Sequence, residues 1–399
     1  MAELSSDTVL QRAPHLNVEL GQNTIVHVGG RQVPAGSHIL AILETFARPV
    51  AYSKAVKDLS ARVTGVQAWI ELVSTVTNLY KAGVLVDETG TAPAAAIGWS
   101  APQVHISMLN DRVRTDAFLS AIAEVVRPGD VVVDIGTGTG VLAAAAARAG
   151  ARHVYAIEGT DIGSAAQQLF AANDFADRIT LVPGWSSQVE LPERANVLIA
   201  EIIGNDPLEE GVMETFADAR KRFLTADARI IPSRVKTFAL PIAMDEALLA
   251  KILFTPEATS SWKEWYGLDF SSLQSAATNQ SLVVNRAPAE ARSWKSLGDA
   301  VMLADLDLGG GKPPVVNESA EFTIATDGLL GGLLVYFELD VGPSQRLSTS
   351  PAEADETCSW LVKTWVYGSG VPVKAGDKLK VNYRYRVDSP GTSIEIVRS

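Results

Sequence analysis

One short stretch constrains the fold of this chain more than any other. Val131-Val132-Val133-Asp134 reads as a buried strand that runs directly into Gly136-Thr137-Gly138-Thr139-Gly140, after which Val141 to Arg148 reads as a helix. Glycine at alternate positions lets the main chain turn sharply and leaves no Cβ between the backbone and a bound ligand. A second strand, Val154 to Glu158, ends in an acid eighteen residues after Gly140. A carboxylate there can accept hydrogen bonds from both hydroxyls of a ribose. Further strands at Ile179 to Val182 and Val197 to Glu201 alternate with helical stretches between about His105 and Ser233. That alternation predicts a parallel sheet covered on both faces.

Loop and acid together specify a nucleoside, and the loop's spacing selects among nucleoside ligands. A dinucleotide site would carry Gly-x-Gly-x-x-Gly with a helix N-terminus aimed at a pyrophosphate. Here the loop begins at Asp134 and reads Gly-x-Gly-x-Gly. An acid so close repels a pyrophosphate and suits an ammonium and a sulfonium, so S-adenosylmethionine is the expected cofactor, with S-adenosylhomocysteine as its product. Asp134, Gly136, Gly138, Gly140 and Glu158 are the candidate binding residues. No metal is expected, because His15, His27, His38, His105 and His153 have no ligand spacing.

With 399 residues the chain exceeds one ordinary hydrophobic core, so two or three domains are expected. Nothing in it approaches the roughly 20 continuous apolar residues of a membrane span, and the single Cys358 cannot form an internal disulfide. The start, Met1 to Pro14, lacks the basic region and apolar run of a secretory signal. A cytoplasmic address is therefore expected. Thirty-four basic against 46 acidic residues give a net charge of -12, the wrong sign for tracking a phosphate backbone. The expected partners exclude nucleic acid and membrane and favour a cationic peptide or amine.

The first ninety residues read as a small α+β module. Apolar runs at Val18 to Leu20, Ile25 to Val28 and Gln32 to Val33 are separated by glycine-bearing turns. Ile39, Ile42, Leu43 and Phe46 share one helix face, Ser53 can cap a second helix reaching Leu59, and a third carries Val66, Trp69, Ile70, Val73, Val76 and Tyr80. Gly83 and the strand Val84 to Val86 follow, an order that predicts a winged helix. Glu88 to Ala96 reads as a linker. After Pro232 come alternating β-type runs at Leu333 to Val341, Trp360 to Tyr367, Lys378 to Val387 and Ser393 to Val397, with a helical insertion between Asp245 and Gln280.

From about His105 onward the chain resembles the protein arginine methyltransferases. His105-Ile106-Ser107-Met108-Leu109 with Asp111-Arg112-Val113-Arg114-Thr115 is similar to that family's cofactor-covering helix. The likeness implies that Met108 meets the sulfonium region and that Arg114 meets the methionine carboxylate. Ala200-Glu201-Ile202-Ile203-Gly204 resembles the start of the family's double-glutamate loop, whose second glutamate falls on Glu210. A guanidinium stays protonated at neutral pH and its lone pairs are delocalised. Two carboxylates gripping its edges would fix its plane and localise density on one nitrogen, so Glu201 and Glu210 are the candidate catalytic pair. Asp206-Pro207-Leu208-Glu209 also reads as the first positions of a helix, with Glu209 as a capping-box acid and Glu210 as a first-turn acid.

The resemblance has departures. Cys358-Ser359-Trp360 stands where the family has Thr-His-Trp, Ala95 and Trp99 stand near its pair of tyrosines, and Ser187 replaces an acid near the adenine. Trp185 and Ser186 remain as cofactor candidates, Trp360 and Trp99 as substrate candidates. The module from Asn17 to about Asp87 resembles PqqD-like modules that bind leader segments of ribosomally made peptides, often as an added strand. Winged helices also bind DNA, but the third helix has only Arg62 and Lys81 near its ends and Glu71 within it.

The resulting expectation is an α/β chain in three parts: a winged helix over 1–90, a Rossmann-like class I methyltransferase domain over 97–233, and a β-barrel-like substrate domain over 234–399. The insertion near 245–280 takes the place of the family's dimerisation arm, which implies a homodimer. Methyl transfer to an arginine nitrogen of a precursor peptide is the first expectation. Transfer to a primary amine, such as the modified C-terminus of daptide-type peptides, is the second, and a non-catalytic scaffold the third.

Overall fold

The computed structural model describes residues 8–13, 16–19, 24–28, 31–35, 38–63, 72–73, 75–76, 78–80, 82–87, 101–208, 211–244, 249, 251–273, 281–310, 316–386 and 389–398. The chain divides into two compact units, Met1–His105 with Gly159–Ile162 and Ile106–Glu158 with Gly163–Ser399. Among the described residues no helix is long and apolar enough to cross a membrane.

In the first unit, Val9–Arg12 runs between Val50–Ala51 and Leu85–Asp87, and a second antiparallel sheet joins Asn17–Glu19, Thr24–Val28 and Arg31–Ala35. The Val9–Arg12 strand is absent from the sequence reading, since Val-Leu-Gln-Arg is too short to display an alternating pattern. Ile39, Ile42, Leu43 and Phe46 are all buried, as one face of the Ile39–Thr45 helix and its C-cap should be. They pack with Leu72, Val76 and Tyr80. Ser53 does not cap the second helix: the helix spans Tyr52–Ser60, and Ala51 occupies the N-cap. Val66, Trp69 and Ile70, together with the linker Glu88 to Ala96, lie outside the described residues.

The second unit is built on a five-stranded parallel sheet with the order Leu224–Ile231, Ala195–Ile199, Val131–Ile135, His153–Glu158, Ile179–Pro183. Every residue of the central Val131–Ile135 strand is buried, which its unbroken apolar run requires of a strand covered on both faces. This is a Rossmann-like α/β fold. The edge strand Leu224–Ile231 escapes sequence reading because Leu-Thr-Ala-Asp-Ala-Arg-Ile-Ile mixes polar residues into a half-exposed position.

Beyond it, Arg234–Ala243, Gly328–Asp340, Val362–Val373 and Ser281–Arg286 form the body of a seven-stranded sheet, and Lys378–Arg386 pairs with Val316–Thr323 and Ser389–Arg398 in a second sheet. Phe118, Val133, Phe216, Phe337 and Tyr383 belong to one continuous apolar core, so the parallel sheet and these antiparallel sheets are packed as one body. Helix Pro256–Tyr266 begins at Thr255, whose hydroxyl accepts the Ala258 N–H, and ends at a left-handed Gly267. Trp265, Tyr266 and Leu268 are exposed there.

Candidate active site

The glycine loop and Glu158 lie at the C-terminal edge of the parallel sheet, where open α/β sheets bind ligands. Gly136, Gly138 and Gly140 all have positive φ. At Gly140 the need is twofold: φ is +85°, and a Cβ would stand 2.5 Å from Cε1 of Phe170, so the loop and the helix it starts lie directly against the Gly163–Ala172 helix. Glu158 ends its strand buried, and its carboxylate accepts the Gly138 N–H at 2.9 Å. The carboxylate and the glycine loop are thereby fixed to each other. Asp134 is 1% exposed and accepts the Thr137 hydroxyl at 2.6 Å. Burial pushes its carboxyl up to about 7, with the Thr137 hydrogen bond opposing and the neighbouring Glu158 charge adding to the rise.

Trp185 and Ser186 follow the Ile179–Pro183 strand and enter a short 3-10 turn, Ser186–Gln188. The Gly184 N–H donates to the Glu158 carbonyl at 2.8 Å, which ties this turn to the end of the His153–Glu158 strand. Arg222 supports it from below by donating to the carbonyls of Ser186 and of Val189 while pairing with Asp218. The sequence reading missed Arg222, an ordinary basic residue in the last turn of a helix.

The second half of the site starts at Glu201. It falls two residues past the Ala195–Ile199 strand rather than ending it, in a stretch without regular secondary structure. The structure brings Glu201 and Arg114 together: the guanidinium donates to one Glu201 oxygen, and to the carbonyl of Met108 at 3.3 Å. Burial lowers the Arg114 pKa to about 10, with the Asp111 and Cys358 charges opposing that fall. Arg114 also sits over the Trp360 ring, 5.1 Å from its centroid. Trp360 itself is buried, and its indole N–H donates to the Ile203 carbonyl at 2.8 Å, so it braces the loop that carries Glu201.

Asp111 caps the Arg112–Val125 helix through the Arg114 N–H and also accepts from the backbone and hydroxyl of Ser359, at 2.7 and 2.9 Å. Ser359, at the position of the family's missing histidine, thus joins the Arg112–Val125 helix to the segment that leads into the antiparallel wall. Burial pushes the Cys358 thiol up to about 11, which removes it as a thiolate nucleophile near neutral pH.

The helix expected to start at Asp206 is a correction. It spans Val212–Arg222 and has Gly211 at its N-cap, while Asp206 lies in a turn and accepts the Leu208 N–H at 3.1 Å. Pro207 and Leu208, the first positions of the expected helix, form a turn instead. Glu209, Glu210 and Trp99 lie outside the described residues. Among the described residues no cluster of His, Cys, Asp and Glu could hold a metal.

The residues present fit S-adenosylmethionine. Arg114 Nε and one Glu201 oxygen are buried without a hydrogen-bond partner, the positions a ligand carboxylate and an acceptor N–H would satisfy. A glycine loop on a central parallel strand, a carboxylate locked to it from the next strand and this buried pair define a class I S-adenosylmethionine-dependent methyltransferase. The Arginine N(omega)-methyltransferase of Streptomyces achromogenes subsp. streptozoticus is 30% identical over 286 residues, covering 70% of this chain and 74% of that protein. The chain belongs to the arginine N-methyltransferase family.

A family model described as ribosomal protein L11 methyltransferase (PrmA) matches residues 113–271. The probable histone-arginine methyltransferase 1.3 of Arabidopsis thaliana is 37% identical over 176 residues, 43% of this chain; the match spans only 32% of that longer protein. The solved structure of the Trypanosoma brucei PRMT1 enzyme-prozyme heterotetrameric complex with AdoHcy superposes with a TM-score of 0.62 at 21% identity, covering 75% of this chain and 99% of that one. A structure of PRMT6 with SAH gives 0.57 at 21% identity, covering 75% and 100%.

Proposed function

We propose that this enzyme transfers a methyl group from S-adenosylmethionine to a guanidinium nitrogen of an arginine in a peptide. The observation that carries this reading is Glu201: a part-buried carboxylate with one oxygen already on a guanidinium and the other buried without a partner. The cofactor supplies an electrophilic methyl group on a sulfonium. Asp134 and Glu158 are assigned to its amino-acid and ribose portions, Met108 and Arg114 to its covering, and Trp185 and Ser186 to its adenine side. Glu201 accepts from the acceptor's N–H groups and, with Glu210, holds the guanidinium plane so that one nitrogen lies in line with the methyl. Trp360 keeps the Glu201 loop in place, and Trp99 is assigned to the acceptor side.

The substrate class rests on the N-terminal unit. Its small antiparallel sheets offer edge strands, and Asn17–Glu19 is one to which an extended leader peptide could add. We read the unit as a PqqD-like winged helix that delivers a ribosomally synthesised precursor, the antiparallel region as a β-barrel-like acceptor wall, and the enzyme as a cytoplasmic homodimer. Exposed Trp265, Tyr266 and Leu268 on the arm support self-association. The test compares a precursor with its leaderless fragment. Loss of the leader should raise KM and leave the position of methylation unchanged. Equal KM values would remove the recognition role. A rate that rises with pH through an amine's pKa would move the acceptor from arginine to a primary amine.

A further inference from the structure

The loop from Ala200 to Leu208 has no helix or strand to hold it, yet Ile203, Asp206 and Leu208 within it are buried. A backbone without its own ladder takes its geometry from outside contacts. Those contacts come from the antiparallel wall. The Trp360 indole donates to the Ile203 carbonyl, the Leu361 N–H donates to the Asn205 side chain at 2.8 Å, and Tyr383 donates to Asp206 at 3.5 Å. Lys363, itself buried, places its ammonium 3.4 Å from Asp206 and 5.5 Å from the Trp365 ring centroid. Past the second glutamate position, Tyr385 donates to Glu214.

We propose that the buried Lys363–Asp206 ion pair is the positioning device for the acceptor carboxylate Glu201, fixing the loop over residues 201–208 from the β wall. The assignment rests on the nitrogen-methylation reading above. A buried pair of this kind loses in desolvation much of what it gains in attraction, so its contribution is to geometry more than to net stability. Asp206 also turns the backbone locally by accepting the Leu208 N–H. One carboxylate therefore joins the turn to the wall, four residues before Glu210. Tyr385 on Glu214, four residues after that position, adds a second tie, from a strand of the other antiparallel sheet.

The test uses the full chain and three variants. Lys363→Met should speed hydrogen exchange of amides in 202–208 by about tenfold or more. It should lower kcat for the acceptor by about tenfold or more while changing cofactor affinity by no more than about twofold. Lys363→Arg, which keeps the charge, should recover most of both. Where Lys363→Met fails to fold, the double variant Lys363→Met with Asp206→Leu removes both charges and fills the space; it should fold and remain slow. Unchanged exchange in the loop would overturn the proposal, as would full kcat in the double variant or equal losses in cofactor and acceptor function. A wild-type enzyme that methylates no nitrogen would defeat the functional reading instead, and loop exchange would then decide the role of the pair alone.

Discussion

The two halves of the active site are constructed differently. On the nucleoside side, Asp134, the glycine loop and Glu158 lie within twenty-five residues on two adjacent parallel strands, and their main links are short in sequence, Thr137 to Asp134 and Gly138 to Glu158. On the acceptor side, Glu201 stands on an irregular loop whose anchors, Trp360 and Lys363, are 157 positions away from the residues they hold. The first half is a property of a local supersecondary unit. The second exists only once the antiparallel wall has packed against the parallel sheet, so loss of the Lys363 anchor should be felt in the chemistry more than in cofactor binding.

The largest expected effect breaks the acceptor side. Glu201→Gln should lower kcat by about two to three orders of magnitude, since it removes a charge aimed at the reacting cation. Cofactor affinity, read by calorimetric titration, should change far less. Comparable losses in both quantities would merge the two halves into one.

Next comes Glu158→Ala, which removes hydrogen bonds to a charged acceptor worth roughly 1.5 to 3 kcal/mol each and should weaken cofactor affinity by about tenfold or more. At saturating cofactor its kcat should stay near wild type. Retained affinity would move the ribose elsewhere.

A pH series sharpens the same side. Buried Asp134 keeps its proton up to about 7, against an ordinary value of 3.8, so the native state holds the extra proton between those values. Its contribution to stability is complete below the ordinary value and is lost as pH rises through about 7. Affinity for the cationic cofactor runs the opposite way, because the ionised carboxylate is the form that attracts an ammonium. It should fall by about tenfold per pH unit below 7. Asp134→Asn should flatten that dependence in the same titration, and a slope that persists in the variant would assign it to another group.

The smallest effect should come from Arg222→Ala. It releases the Ser186 and Val189 carbonyls at a partly exposed site, so cofactor KM should rise by about threefold to tenfold, with acceptor KM unchanged.

The same contrast decides what could be read from the chain alone. The Val131 strand, the helix Val141–Arg148 and the acid at Glu158 were legible because each is a contiguous pattern of burial, glycine and charge. Asp206 was misread because an acid followed by proline is a good local helix start. Its carboxylate instead meets the Leu208 N–H and a buried lysine 157 positions away. Trp360 is a substrate candidate in the sequence, but its hydrogen bond to the Ile203 carbonyl is not legible there, since no local pattern encodes a partner 157 positions away. Ser359 and Arg222 have no local signal at all. Their importance lies wholly in which carboxylate or carbonyl they reach.

Fragmentation mass spectrometry of a precursor peptide after incubation with methyl-labelled S-adenosylmethionine tests the central claim most directly. The account predicts label on a guanidinium nitrogen of an arginine residue with the wild-type enzyme, and almost none with Glu201→Gln. Label on carbon, oxygen or a primary amine, or undiminished labelling by Glu201→Gln, would contradict it.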